Sequence, residues 1–169
     1  MIRCIIVLIE IMVSYLLQSS VFPHFELAGV VPDILLILVV STAFFKGQNA
    51  GVLAGFISGL LMDFCIGDVI GLFAILYMII GFFTGFANKI FDEDDYLLPL
   101  ALVAAGEFVY GFLYYVFKLL LQGNLNVGYF ISRIIFPRMI YTTFVAILFY
   151  KLFQIVHLLL ARLENKEKK

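Results

Sequence analysis

The chain has 169 residues, of which 64% are hydrophobic and only 14% charged, and its formal net charge is −1. A soluble domain carries about 25% charged residues, so this composition excludes one and describes an integral membrane protein. It offers no basic patch for a phosphate backbone and no room for a separate soluble domain, so nucleic-acid binding is excluded.

At about 20 apolar residues per spanning helix, the length allows roughly five to seven spans with very short loops. The first is expected over residues 4–21, with Arg3 before it and Glu10 inside it. It resembles a signal peptide, but no small-residue cleavage site follows and further spans come after, so it reads as a retained helix. Pro23, His24, Glu26 and Gly29 make a polar turn. The second span, residues 30–45, is opened by Pro32 and Asp33, since proline suits a first helical turn and an acid there is favoured by the helix dipole.

The third span, residues 47–64, is the most distinctive. Gly47, Gly51, Gly55 and Gly59 stand four residues apart, Asp63 is the next step, and Gly67, Asp68 and Gly71 follow. The i, i+4 spacing lines glycines on one face and makes a groove that another helix can approach closely. Gly81 and Gly85 repeat the spacing in the fourth span, residues 69–87. A polar loop at 88–96 carries Lys89, Asp92, Glu93, Asp94 and Asp95. The fifth span, 97–121, holds Glu107 near its middle, on a face with Gly111, Tyr114 and Lys118. Residues 129–136 could form an interfacial or re-entrant helix, and Pro137 and Arg138 start the sixth span. The expected organisation is one membrane domain over 1–161 and a charged cytoplasmic tail at 162–169.

Positive charge favours the cytoplasmic side. Six spans with the N-terminus inside place Arg3, Lys46, Lys89, Arg162, Lys166, Lys168 and Lys169 inside, and chiefly Arg133 and Arg138 outside. The fold class is therefore all-α: six transmembrane helices in a compact bundle, N-in and C-in, with short loops. Asp33, Asp63, Asp68 and Arg138 then lie toward the outer face.

Each polar candidate has a functional and a plain reading. A carboxylate within the membrane is by default a functional-site hypothesis, whereas Asp63 and Asp68 could simply end a helix and order a turn. Glu107 calls for Arg138, Lys151 or a tyrosine hydroxyl as partner, in a pair that fixes register or in a ligand or proton site. Glu10 could meet another protein. Arg133 and Arg138 could bind an anion or could snorkel to the interface. Cys4 and Cys65 show no metal or disulfide spacing, and His24 and His157 are isolated. No nucleotide-binding, metalloprotease or serine-hydrolase motif occurs, so neither a catalytic residue nor a cofactor or metal is expected.

Pro32-Asp33-Ile-Leu-Leu-Ile, then Gly55-Phe-x-x-Gly59-Leu-Leu-x-Asp63, Gly67 and Gly71, with Pro137 and Tyr141 opening the last span, resemble the MreD family of the bacterial rod-shape (elongation) machinery. Thr142 departs from a pattern that often places Asn after the tyrosine. The resemblance implies a non-enzymatic, multi-pass plasma-membrane component of the elongasome. Its main partner would be MreC, with MreB, RodA and its transpeptidase as further associates in lateral peptidoglycan synthesis. It also implies a helix arrangement similar to the substrate-binding subunits of energy-coupling-factor transporters, with Asp33, Asp63 and Arg138 lining an outward pocket. A small-solute binding subunit of such a transporter is the alternative function.

Overall fold

A computed structural model of the chain describes residues 2–26, 29–65, 70–87, 97–120 and 127–167. Gly67, Asp68 and the acidic loop at 88–96 lie outside them. The described residues are almost wholly helical: α1 (Ile2–Leu16), α2 (Ile34–Lys46), α3 (Gln48–Cys65), α4 (Leu72–Ala87), α5 (Leu97–Tyr114), the short α6 (Val127–Phe130) and α7 (Phe136–Glu167). Among the described residues, three helical stretches are long and apolar enough to cross a membrane, Ile6–Phe25, Leu97–Phe117 and Gly128–Val156. Two shorter apolar helices, Ile34–Lys46 and Leu72–Ala87, accompany them.

The centre is α2. Every residue from Ile34 to Phe44 is buried, and α1, α3, α4, α5 and α7 all pack on it. Its sequence, ILLILVVSTAFFK, is apolar on all sides, which suits a helix with no exposed face. Ser41 returns its hydroxyl to the Ile37 carbonyl at 2.7 Å and so needs no outside partner. Asp33 caps the helix by accepting the Leu36 N–H at 3.0 Å. Gly47, at φ +83°, ends it and lets the chain turn at once into α3.

The α3 and α4 helices make the closest pair, and their glycines explain why. A Cβ on Gly51 would strike Ala43 and the Gly81 carbonyl, one on Gly55 the Tyr77 carbonyl, and one on Gly59 the backbone of Ala74. From the other side, a Cβ on Gly81 would strike Gly51, and one on Gly85 would strike Gln48. The groove is thus filled by the chain's own α4, running antiparallel to α3. Gly47 ends α2 and also lies against Gly85 of α4, whereas Gly71, at φ +100° with open space around it, shapes the entry to α4.

The last span also differs from expectation. Residues 129–136 are not a separate re-entrant helix, because α6 runs into α7 through a π-helical turn at Ile131–Ile135. Pro137 supplies the reason. It has no N–H to give the Arg133 carbonyl, and the wider turn, closed by the Phe136 N–H to the Ile131 carbonyl, lets the helix run on past it. A π-helical turn at Leu17–Val21 likewise extends α1. α7 remains helical to Glu167, into the charged segment that starts at 162, in line with the strong helix propensity of Leu, Ala, Arg, Glu and Lys.

Candidate functional site

The N-terminus of α2 is buried, so its free N–H groups must find partners within the protein. The Asp33 N–H donates to Thr142 Oγ1 on α7 at 3.1 Å. The Leu35 N–H donates to Gln18 Oε1, offered by the π-helical turn after α1, at 3.1 Å. Leu36 is satisfied by Asp33 itself.

The second carboxylate oxygen of Asp33 gathers the rest of the site. It accepts the Tyr77 hydroxyl from α4 and Nη2 of Arg138 from α7 at 2.9 Å. Arg138 Nε lies 3.5 Å from Glu107 Oε2 on α5. Thr142 closes the ring by donating its hydroxyl to Glu107 Oε1 at 3.0 Å. The Arg138 guanidinium also stands 4.8 Å from the centre of the Tyr110 ring, a cation–π contact. Four helices are therefore tied at one point. Asp33 and Glu107 are sealed, at 0% and 2% exposure, while the Arg138 side chain keeps 24%.

Asp33, Glu107 and Arg138 thus come together. Asp63 takes a different place: its two oxygens accept the Phe73 and Ala74 N–H groups at 3.0 and 3.1 Å. It caps α4 from the end of α3, and among the described residues no hydrogen bond or ion pair links it to Asp33. Arg133 is exposed, and Arg138 is committed to two acids, so the two arginines form no common anion site. Glu10 lies apart on α1, with both carboxylate oxygens buried and without a hydrogen-bond partner. Among the described residues no group of His, Cys, Asp and Glu could hold a metal ion.

Four contributors, Tyr77, Tyr110, Thr142 and Gln18, were not singled out as site residues from the sequence. Tyr77 continues the Gly81 and Gly85 spacing backwards by four, which places it on the packed face of α4. Thr142 takes a polar role although it is not the Asn of the family pattern. Gln18 gave no signal, because its position depends on the π-helical turn.

Beside the network lies a cavity of about 190 Å³, between α5 and the start of the last rod, with Glu107 and Arg138 at its wall. Tyr110, Tyr114 and Phe130 make much of the remainder.

Described residues that are almost wholly helical, with long apolar helices and a buried ion-paired network between them, suit a membrane protein. A family model described as "rod shape-determining protein MreD" matches residues 1–161. The chain belongs to the MreD family, a family of rod-shape-determining membrane proteins. No curated protein and no solved structure matches it, so the expected likeness to energy-coupling-factor subunits has no solved relative behind it.

Proposed function

We propose that this chain is a non-enzymatic, multi-pass plasma-membrane component of the elongation complex, and that it docks the membrane helix of MreC. Through that contact it helps control cell shape and lateral peptidoglycan synthesis. MreB, RodA and its transpeptidase associate with the same assembly. The observation that carries this reading is the family match over 1–161. At the site, Asp33 and Glu107 are sealed and turned on Arg138 and Thr142.

The glycine face is occupied by α4, so MreC docks on an outer face. The best candidate is α1, where Leu8, Ile9, Met12, Val13 and Leu16 form one exposed apolar stripe. The solute-binding alternative has less support, since Asp33 and Asp63 are 0% and 2% exposed and engaged with neighbours.

The test places a photo-crosslinking residue at Met12 or Leu16 in living cells, with Phe83 on α4 as comparison. An MreC adduct from α1 and none from Phe83 is the expected result. Failure of MreC to co-purify with the intact chain would sink the docking role itself.

A further inference from the structure

The cavity beside the buried network has a single polar end and an otherwise apolar wall. The polar end is Glu107 and Arg138; Tyr110, Tyr114, Phe130 and Ile134 supply most of the rest. Of the charged side chains there, Arg138 alone keeps exposure, at 24%, while Asp33 and Glu107 are 0% and 2% exposed. Arg138 Nε is itself buried and lacks a hydrogen-bond partner, although it stands in ion-pair range of Glu107 Oε2 at 3.5 Å. What this end asks of an occupant is therefore an acceptor oxygen. Two carboxylates already surround one guanidinium, which disfavours a further anion and favours a neutral oxygen.

Depth narrows the class. The network stands at the N-terminal end of α2, a helix of 13 residues. At 1.5 Å per residue that helix is about 20 Å long, against a hydrocarbon core of about 30 Å. With α2 centred, its end lies some 5 Å inside the hydrocarbon edge, just below the level of lipid ester groups. The size agrees with a short length of chain: about 190 Å³ is the liquid volume of roughly six waters, space for the first few methylenes of an acyl chain. Both walls adjoin π-helical turns, Tyr115–Leu120 and Ile131–Ile135, a distortion common at functional sites.

We propose that this cavity between α5 and the last rod is a lipid site, in which the upper part of one acyl chain lies against Tyr110, Tyr114 and Phe130 and its ester carbonyl accepts a hydrogen bond from Arg138.

The full chain is purified with an equal mixture of ester-linked and ether-linked phosphatidylglycerol of the same chain length, and retained lipid is read by native mass spectrometry. The ether lipid keeps the phosphate and both chains but lacks the carbonyl. The expected result is about a tenfold preference for the ester lipid, the worth of one hydrogen bond to a charged group. Equal retention of the two lipids would overturn the proposal and would point to the phosphate or to the chains alone. Ile134→Trp fills the cavity from its rim and should abolish that preference. A preference that survives Ile134→Trp in monodisperse protein would also overturn it. If that variant does not fold, the wild-type comparison decides alone.

Discussion

Arg138 is the residue on which the polar interior depends. It is the cation for two sealed carboxylates on different helices, Asp33 and Glu107. Removing one partner of a buried pair leaves an uncompensated charge, which costs about 3–5 kcal/mol. Arg138→Ala should therefore lower resistance to SDS-induced unfolding by about that amount. Thr142→Val deletes one hydrogen bond on each side of the hydroxyl, to Asp33 and to Glu107. It should cost less, about 1–3 kcal/mol. Similar losses for the two variants would show that the ion pairs contribute little. Both arginine contacts join residues far apart in the chain, so nothing in local sequence pattern announces them. What the sequence does supply is a short set of acids and two arginines, Arg133 and Arg138, in apolar surroundings, and in such a setting few pairings are open to them.

Among the elements, the α3–α4 pair carries the clearest sequence signature. Glycine spacing predicts a close helix contact, and the contact exists, with backbone against backbone at Gly51, Gly55 and Gly59. What spacing does not reveal is whether the second helix belongs to the chain or to a partner. Gly55→Leu should destabilise the protein by about 3 kcal/mol or more, because the α4 backbone at Tyr77 has to move. Gly128→Ala, with nothing within 4 Å, should stay within about 0.5 kcal/mol of wild type. A Gly55→Leu protein of full stability that has lost MreC would reassign the groove to the partner. Helix ends were less legible than helix existence. Asp33 and Gly47 are local signals and bound α2 well. The π-helical turns before Phe22 and Phe136 come from tertiary demands and from Pro137, and no periodicity announces them.

At the scale of the whole molecule, one buried helix, α2, has five others packed on it, and those five carry large apolar side chains on their outer faces. Phe83, Phe144 and Leu148 are exposed at 68%, 72% and 74%, which suits hydrocarbon and not water. The distribution of lysine and arginine argues for both termini on the cytoplasmic side. A phosphatase that is active only outside the cytoplasm should therefore be inactive when fused after Lys169 and active when inserted at Gly67. The reverse pattern would invert the orientation and carry the Asp33 cluster to the inner leaflet.

The enclosure of α2 also sets an order for biosynthesis. Asp33 enters the membrane early, yet its cation lies 105 residues further along the chain. At about 5–20 residues per second, Arg138 follows by roughly 5 to 20 s. During that interval the acid at the head of α2 has Tyr77 as its first neighbour from a later helix, and the helix itself has lipid on the sides that α5 and α7 will cover. A chain that ends before α7 therefore holds Asp33 through Leu36 and Tyr77 but without its cation.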